Sequence, residues 1–404
     1  MSERPVHAVV RPPGDALFDL IGLALRGDGP AVLPLDPELP GPALRAVLAA
    51  LRPTHLVTPE GTRPLPDGVP ADPRTAVIIA TSGSTGTPKG VELTAEALIA
   101  SASASLRRLG AGPGERWLCC LPPSHVSGLQ VLVRSLLSGS RPLIHPRFSP
   151  AEVAASGADH VSLVPTQLRR LIDHGARLSR FRTVLLGGAA APPGLVAEAG
   201  TRVVTTYGMS ETCGGCVYDG VPLDGVEVTA GDGGPGDGEA RAAGGRIRIR
   251  GPVLFSGYRL RPGSAASNLE GGWYVTSDVG EIREGRLRVL GRADDVINTG
   301  GRKVAAGPVA GVLAGHPAVR DAVVMGRPHP EWGEEVVAVV VPADPGAPPS
   351  LGELRAAVKE TLPGYAAPRA LEVLDRLPLL PNGKHDLVAI RRNIFGFASK
   401  KDDS

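Results

Sequence analysis

Short runs of β-branched residues alternate with longer stretches rich in alanine and leucine from Thr75 onward. Residues 76–80 form one such run, and the stretch 94–109 follows them and ends at Gly110. Because β-branched residues favour strands and glycine commonly ends helices, this order predicts a strand, a loop and a helix. The alternation recurs farther along the chain, at residues 117–121, 184–186 and 203–206. It predicts an α/β fold with a largely parallel sheet.

The character of the sequence changes after residue 230. Residues 231–245 are dense in glycine, aspartate and proline, and the alternating run 246–250 follows them. Together with residues 281–290, this run predicts an antiparallel β-subdomain.

A further change marks a C-terminal domain, with strands predicted at residues 319–325 and 336–341 and a helix at 351–362. We place the boundary near Asp294, so that residues 1–293 form a large N-terminal domain and residues 294–404 a small one. The small domain has about 110 residues, a size that can fold alone.

The overall charge is nearly balanced, with 43 basic and 41 acidic residues. This balance excludes a global attraction to nucleic acid or to an anionic membrane, so charge-driven recognition must be local. Four cysteines are too few for a disulfide scaffold and indicate a reducing compartment. Asp15, Asp19 and Arg26 interrupt any signal-peptide core, and no apolar run has membrane-spanning length. We therefore expect a cytoplasmic protein.

A loop rich in glycine and hydroxyl side chains follows the strand predicted at residues 76–80. It reads Thr81-Ser-Gly-Ser-Thr-Gly-Thr-Pro-Lys-Gly90 and precedes the predicted helix. Its backbone N–H groups and hydroxyls can surround phosphate oxygens, and Lys89 adds positive charge. Its spacing differs from that of a Walker loop. A flexible linker is the plainer alternative, which the preceding strand disfavours. The predicted phosphate contacts are Thr81, Ser82, Gly83, Ser84, Thr85 and Lys89.

This loop resembles the phosphate loop of the adenylate-forming superfamily, which includes acyl-CoA synthetases, luciferases and the adenylation domains of peptide synthetases. Four later segments resemble further motifs of that superfamily, in its order: residues 207–212, 274–280, 291–297 and 381–384. Each segment alone has a plainer interpretation as a turn or a solvated side chain. The ordered set identifies the chain as a member of the superfamily.

The resemblance implies a large N-terminal α/β domain with parallel sheets and a β-subdomain, followed by a small, mobile α+β domain. It implies that Tyr207 stacks on adenine, that Glu211 holds Mg2+ and that Asp278 accepts from the ribose hydroxyls. The other implied nucleotide contacts are Gly187, Gly188, Gly208, Thr212 and Arg292.

The remaining implied residues belong to the predicted second domain. Asp294 would be the interdomain pivot, and Gly300 and Gly301 would line the pantetheine tunnel of coenzyme A. Lys384 would neutralise charge as a carboxylate attacks the α-phosphorus of ATP. In the second half-reaction a thiol must reach the position that the lysine had occupied. This requirement explains why the protein would have two domains joined by a pivot. The sequence departs from the usual residues of the superfamily at Ser277, Arg302 and His385.

The segment 122–134 bears on the identity of the acid. If a helix begins near Ser127, then Ser127, Gln130 and Arg134 share one face. Arg134 lies among apolar residues, so its guanidinium either reaches solvent or is buried opposite an anion. A substrate with a second carboxylate would supply that anion.

This segment and residues 205–220 resemble the o-succinylbenzoate-CoA ligases of menaquinone biosynthesis, whose substrate carries two carboxylates. The resemblance implies that Ser127, Arg134 and Gly215 bind the substrate and that the succinyl carboxylate is activated near His125. Zinc or redox chemistry at the pair Cys213 and Cys216 is disfavoured, because Cys119 and Cys120 do not repeat its C-x2-C spacing. We interpret residues 213–216 as a wall of the acyl pocket.

The predicted partners are therefore ATP, Mg2+, coenzyme A and an aromatic dicarboxylic acid, with no nucleic acid and no membrane insertion. The sequence leaves a homodimer possible. Two rival functions stay open: another aryl- or acyl-CoA ligase with the same mechanism, and a stand-alone adenylation enzyme that loads a carrier protein. A nucleotide-binding protein without catalysis is disfavoured by the presence of Glu211 and Lys384.

Overall fold

The structure is a computed structural model that describes residues 3–82, 87–191, 193–231, 245–261, 269–380 and 383–395. Three predicted phosphate contacts, Gly83, Ser84 and Thr85, lie outside the described residues. Ser82 ends a strand and Asp294 lies in a 3-10 turn, and both are described by their backbones alone.

The strands of the described residues are β1 (Val6–Val10), β2 (Ala31–Leu35), β3 (His55–Thr58), β4 (Gly61–Pro64), β5 (Thr75–Ser82), β6 (Pro88–Thr94), β7 (Trp117–Cys119), β8 (Leu143–Ile144), β9 (His160–Leu163), β10 (Thr183–Leu186), β11 (Val203–Met209), β12 (Gly214–Tyr218), β13 (Val221–Pro222), β14 (Glu227–Ala230), β15 (Gly245–Arg250), β16 (Gly257–Tyr258), β17 (Leu269–Glu270), β18 (Trp273–Arg283), β19 (Arg286–Arg292), β20 (Val296–Thr299), β21 (Arg302–Ala305), β22 (Val319–His329), β23 (Gly333–Pro342) and β24 (Ala370–Val373).

The α-helices are α1 (Asp15–Arg26), α2 (Gly41–Leu51), α3 (Ala95–Leu109), α4 (Val126–Leu137), α5 (Pro150–Ala155), α6 (Pro165–Asp173), α7 (Pro193–Glu198), α8 (Ala306–Ala314), α9 (Leu351–Thr361) and α10 (Leu387–Phe395). None of the helices in the described part of the chain has both the length and the apolar character needed to cross a membrane.

Packing divides the chain into two compact units. Unit 1 comprises Met1–Gly188, Ala199–Val228 and Ile249–Val275, and unit 2 comprises Ala189–Glu198, Thr229–Arg248 and Thr276–Ser404. The domain boundary near Asp294 stays a prediction, because it concerns a pivot for motion.

Two seven-stranded sheets form unit 1, in the orders β16-β6-β5-β2-β1-β3-β4 and β13-β12-β11-β10-β9-β7-β8. Their central strands are parallel, and antiparallel strands lie at the margins. Every residue of β2, β9 and β10 is buried, as expected of parallel strands covered on both faces. The predicted α/β fold with largely parallel sheets is confirmed.

A third sheet has the order β14-β15-β18-β17, with β19 on β18, and a fourth has the order β21-β20-β23-β22, with β24 on β23. The run 246–250 lies in β15, and residues 281–290 form the β18–β19 hairpin, as predicted. The predicted strands and helix of the C-terminal region are β22, β23 and α9. Alternate residues of β22 and β23 face two apolar cores, one with α8 and α9 and the other with Ile390 of α10.

One local prediction was wrong. The sequence indicated that a helix directly follows the glycine-rich segment, but strand β6 begins at Pro88, within that segment, and separates it from α3. Val91 and Leu93 are fully buried, whereas Glu92 and Thr94 are less buried, and this alternation has the period of a strand. The segment therefore connects two antiparallel strands, and no helix begins directly after it.

Candidate active site

Lys89 lies on the second strand of the β5–β6 hairpin. Thr81 pairs with Lys89, and Ser82 pairs with Pro88. The Thr81 hydroxyl donates to the Lys89 carbonyl oxygen at 3.4 Å. This pairing holds Lys89 directly across from the end of β5, so two predicted phosphate contacts share one place in the sheet.

Tyr258 joins two predicted site residues within unit 1. Its hydroxyl donates to Glu211 Oε1 at 2.8 Å, and Lys89 Nζ lies over its ring, 5.5 Å from the centroid. Burial and the neighbouring Glu211 carboxylate raise the pKa of Tyr258, so its phenol stays protonated and can donate. Lys89 and Glu211 thus face the same aromatic side chain.

A tight turn presents Glu211. Strand β11 ends at Met209, and a 3-10 turn follows it. The buried Thr212 hydroxyl donates to the Gly214 carbonyl oxygen at 2.7 Å and accepts from the Met209 amide at 2.9 Å. The Phe255 amide donates to the Glu211 carbonyl oxygen at 2.9 Å. The turn is therefore fixed from both sides. Because the Thr212 hydroxyl takes part in this turn, its contact with the nucleotide stays a prediction.

Close backbone packing explains two of the predicted glycines. A Cβ at Gly208 would lie 1.9 Å from a carbonyl oxygen of β12, and a Cβ at Gly187 would lie 2.4 Å from Thr206 Oγ1. A side chain at position 208 would force the backbone of β12 to move, and one at position 187 would displace the side chain of Thr206. Gly188 has a φ of 86°, a left-handed conformation that favours glycine. The nucleotide contacts of these glycines and the substrate contact of Gly215 stay predictions, as does the stacking of Tyr207 on adenine.

Helix α4 begins at Val126, within one residue of the predicted start. A Cβ at Gly128 would lie 2.4 Å from two carbonyl oxygens of the preceding loop, so glycine lets the helix start against that loop. His125 is the N-cap residue, and both His125 and Ser127 are partly exposed. The first turn of α4 can therefore meet a ligand.

Gln130 and Arg134 lie farther along α4 and are buried. Gln130 Nε2 donates to the Cys213 carbonyl oxygen at 2.7 Å, whereas its Oε1 has no hydrogen-bond partner among the described residues. Arg134 Nη2 donates to Ser162 Oγ at 3.0 Å, and its guanidinium carbon lies 4.2 Å from the Trp117 ring centroid. All three residues, Ser127, Gln130 and Arg134, lie in one α-helix, as the prediction of a common face requires.

Arg134 is only 3% exposed, so its side chain does not reach solvent. Its Nε has no hydrogen-bond partner, and no carboxylate in the described part of the chain pairs with it. Burial lowers the pKa of Arg134, but a guanidinium keeps its proton in proteins. The alternative in which Arg134 extends into solvent is therefore excluded.

Unit 2 brings three other predicted residues together. Asp278 and Arg292 face each other across the antiparallel pair β18–β19. Lys384 is exposed to solvent, yet nearby protein atoms lower the pKa of its ammonium by partly desolvating it. The Asp278 carboxylate opposes this shift, and the Arg292 guanidinium adds to it. Because such electrostatic effects weaken with distance, the predicted ribose contacts and the predicted catalytic lysine share one neighbourhood.

The segment around Lys384 is held on both sides. The Leu380 amide donates to the Lys384 carbonyl oxygen at 2.8 Å, and His385 Nε2 lies 2.9 Å from Asp321 Oδ2. The Asp386 carboxylate accepts an amide hydrogen bond in the first turn of α10. His385, one of the departures noted in the sequence, and the neighbouring Asp386 thus have local contacts that fix the backbone at Lys384.

Gly300 and Gly301 form the turn between β20 and β21, with φ angles of 55° and 72°. A Cβ at Gly300 would lie 2.8 Å from the ring of Trp332, whose carbonyl oxygen accepts from the Gly300 amide at 2.9 Å. Two successive left-handed residues favour glycine at both positions. Their place in a coenzyme A tunnel stays a prediction.

Known protein families account for most of the chain. Residues 60–259 match the family described as AMP-binding enzyme, and residues 309–384 match its C-terminal domain. The chain belongs to the AMP-binding enzyme family.

Individual members of the family are similar over nearly the whole chain. A probable 2-succinylbenzoate–CoA ligase from Mycobacterium tuberculosis (strain CDC 1551 / Oshkosh) is 43% identical over 89% of this chain and 96% of its own. The solved o-succinylbenzoate CoA synthetase from Bacillus subtilis, in complex with its acyl-adenylate intermediate, is 29% identical, with a TM-score of 0.82 over 98% of this chain and 89% of its own. The amide bond synthetase McbA from Marinactinospora thermotolerans is 30% identical, with a TM-score of 0.85 over 98% of this chain and 90% of its own.

The candidate nucleotide site in unit 1 has donors and acceptors that suit ATP and magnesium. Lys89 supplies a cation for phosphate, and Glu211 supplies a carboxylate whose Oε1 is engaged by Tyr258. None of the described residues donates a hydrogen bond to the second oxygen, Oε2. Magnesium is usually bound through one or two carboxylates, water and the phosphates of the substrate. Glu211 therefore fits the predicted magnesium role.

All four cysteines are buried and unpaired. Burial raises the pKa of Cys119 and Cys216 to about 12, and it also raises the pKa of Cys120 and Cys213. Neutral thiols are poor nucleophiles and poor metal ligands. This environment supports the interpretation of residues 213–216 as a packed wall beside α4. The side chain of Gln130 in α4 donates a hydrogen bond to this wall, at the Cys213 carbonyl oxygen.

The predicted site residues did not include Tyr258 and Trp117. Tyr258 reaches Glu211 because β16 pairs with β6, which places Tyr258 opposite Val91. Strand β16 has two residues, too few for a periodic signal. Trp117 lies in a predicted strand, but no local pattern indicates that an arginine of α4 would cover its ring.

Proposed function

We propose that this protein joins o-succinylbenzoate to coenzyme A through an acyl-AMP intermediate, with release of AMP and pyrophosphate, as a step of menaquinone biosynthesis. The observation that carries the proposal is the 43% identity, over 89% of the chain, with a relative named as a probable 2-succinylbenzoate–CoA ligase. The enzyme is then an AMP-forming acid–thiol ligase that uses ATP, Mg2+ and coenzyme A.

In the first half-reaction, an oxygen of the succinyl carboxylate bonds to the α-phosphorus of ATP, the bond to the bridging oxygen breaks, and pyrophosphate leaves. The difficulty is the repulsion between the carboxylate and the phosphates. Lys89 places a cation on the phosphate side, and Lys384 places another beside Asp278 and Arg292. Magnesium, when bound through Glu211, spreads the remaining phosphate charge.

In the second half-reaction, the sulfur of coenzyme A bonds to the acyl carbon, the thiol proton is released, and the acyl–oxygen bond breaks to free AMP. A cation beside the phosphate is no longer needed in this step. We propose that residues 294–404 turn about Asp294 between the two steps, so that Gly300 and Gly301 replace Lys384.

The buried Arg134 supports a dicarboxylic substrate. An uncompensated charge in a protein interior is costly, and Arg134 lies beside Trp117 and Ser162 with no carboxylate partner among the described residues. In helices, long side chains point back toward the N-terminus, which for Arg134 is the direction of Ser127. We assign Arg134 and Ser127 to the ring carboxylate, with the wall at Gly215 beside them and His125 near the succinyl carboxylate. A cytoplasmic location and a homodimer stay predictions.

The test is acid-dependent AMP formation across a panel of mono- and dicarboxylic acids, with ATP, Mg2+ and coenzyme A. We expect o-succinylbenzoate to have the highest kcat/KM and its coenzyme A thioester to be the product. A higher kcat/KM for a monocarboxylic acid would reject the substrate assignment while leaving the acyl-CoA ligase chemistry in place.

A second candidate acceptor follows from the likeness to the amide bond synthetase, which is 30% identical. An amine in place of the thiol would give an amide from the same acyl-AMP. Competition between coenzyme A and simple amines, analysed by product mass, separates the two functions.

A further inference from the structure

The segment that carries Tyr258 is hydrogen-bonded both to the strand of Lys89 and to the turn of Glu211. Tyr258 pairs with Val91 of β6, the strand that also holds Lys89. Three residues earlier, the amide of Phe255 donates to the carbonyl oxygen of Glu211. The Phe255 and Tyr258 rings are in edge contact, with centroids 5.0 Å apart. The Tyr258 ring is therefore fixed relative to both charged residues.

Lys89 and Glu211 meet different parts of this ring. The ammonium of Lys89 lies over the face, where the negative charge of the π system attracts a cation. Glu211 accepts at the hydroxyl, on the edge. The described residues include no ion pair between Lys89 and Glu211, although both carry charge within reach of one tyrosine. A direct ion pair would engage the Lys89 ammonium, which is proposed to bind phosphate, and the Glu211 carboxylate, which is proposed to bind the metal.

We infer that Tyr258 is a positioning residue that keeps Lys89 and Glu211 apart and leaves Glu211 Oε2 directed to the metal. The hydroxyl holds one carboxylate oxygen, and the ring holds the ammonium away from the other. The inference rests on the proposed magnesium role of Glu211 and adds the residue that prepares it. No step of the reaction passes through Tyr258 itself.

The experiment measures metal binding directly. Wild-type protein and variants are titrated with Mn2+ by electron paramagnetic resonance, in the presence of a non-hydrolysable ATP analogue. Tyr258→Phe keeps the ring and removes the hydroxyl, so we expect its metal dissociation constant to rise about tenfold, the typical effect of one hydrogen bond to a charged group. Tyr365→Phe is the matched control, because Tyr365 is an exposed tyrosine of unit 2 that lies over Arg302. It should bind metal as wild type does.

A second pair of variants tests the separating role of the ring. Tyr258→Leu removes both the hydroxyl and the aromatic face, so Glu211 can pair with Lys89 and metal binding should weaken further. Adding Lys89→Met to Tyr258→Leu should then recover part of the lost metal affinity, because no ammonium is left to compete. A purely structural role of Tyr258 would lower the melting temperature without producing this recovery.

The outcomes are distinct. If Glu211→Gln loses metal binding but Tyr258→Phe retains the wild-type dissociation constant, the positioning inference is overturned and the proposed function stands. If Glu211→Gln also binds metal as tightly as wild type, the magnesium assignment fails, and the inference fails with it.

Discussion

Arg134 offers a prediction that separates a substrate-binding role from a structural one. The perturbation is Arg134→Met, which keeps a long apolar side chain and removes the charge. Two unit charges 4 Å apart interact by about 4 kcal/mol at an effective dielectric constant of about 20. Removing one partner of a desolvated, hydrogen-bonded charge pair typically costs about 2–5 kcal/mol. We therefore expect kcat/KM for o-succinylbenzoate to fall by at least about 30-fold, at about 1.4 kcal/mol per factor of ten.

Stability should respond differently. The variant loses the contact of Arg134 with Trp117 and its hydrogen bond to Ser162. Against this, it removes a buried charge that has no carboxylate partner in the described part of the chain. Replacing buried charges by apolar groups is often neutral or stabilising. The free energy of unfolding of the ligand-free protein should therefore change by no more than about 2 kcal/mol, since the lost contacts are of similar size to the relieved desolvation.

The assay compares two acids. One is o-succinylbenzoate, and the other is 4-oxo-4-phenylbutanoate, which has the same succinyl arm but lacks the ring carboxylate. Arg134→Met should lower kcat/KM for the first acid. It should leave kcat/KM for the second acid within about threefold of the wild-type value, because that acid has no carboxylate for Arg134 to bind. Arg170→Met is the matched control, since Arg170 also lies over an aromatic ring, that of Phe148, but is exposed. Equal losses for both acids, together with a large drop in stability, would refute the assignment of Arg134 to the second carboxylate.

Two further predictions concern helix α4 and the lysine of unit 2. Gly128→Ala should lower the free energy of unfolding, measured in urea, by about 1–3 kcal/mol, because the added Cβ would lie 2.4 Å from backbone oxygens and the backbone would have to shift. Gly194→Ala is the control and should not destabilise the protein, because nothing lies within 4 Å of its added Cβ. Equal effects of the two substitutions would contradict the packing argument. Desolvation lowers the pKa of Lys384, so its ammonium is present below that pKa and is lost as pH rises through it. The rate of acyl-AMP formation should therefore fall at a pH below the ordinary pKa of lysine. If the rate of thiol attack on supplied acyl-AMP fell over the same alkaline range, this assignment would be contradicted.

The fold follows from patterns that span many residues. Strands β5 and β10 contain continuous apolar runs, residues 76–80 and 184–186, and α4 has a long helical period that starts near Ser127. The antiparallel region also shows its period, in the alternating residues of β15. Each of these signals is local and repeated, so no knowledge of distant contacts is needed.

The hairpin at the glycine-rich segment was harder to predict. Pro88, Lys89 and Gly90 are typical of a loop, and only Val91 to Leu93 show the alternation of a strand. Register with β5 decides the structure there, and this register is a property of the sheet as a whole. The wrong strand–loop–helix prediction therefore came from a segment in which turn residues outnumber periodic ones.

The site could be predicted only where its residues lie within motifs. Glu211, Lys89 and Lys384 belong to motifs that occur in a recognisable order along the chain, and this order identifies them. Tyr258 acts through pairing between strands far apart in the chain, and Trp117 acts through a helix that packs over it. The burial of Arg134 was also beyond prediction. The sequence indicated an arginine among apolar residues but left open whether its side chain is buried or reaches solvent.

The central claim is that Lys384 completes the first chemical step and is dispensable in the second. The most direct measurement is the Lys384→Ala variant, assayed separately for pyrophosphate release from ATP and acid, and for thioester formation from supplied acyl-AMP and coenzyme A. We predict that the first rate is lost and that the second stays near the wild-type value, with the protein folded. Equal losses in both half-reactions, or full retention of pyrophosphate release, would contradict the account.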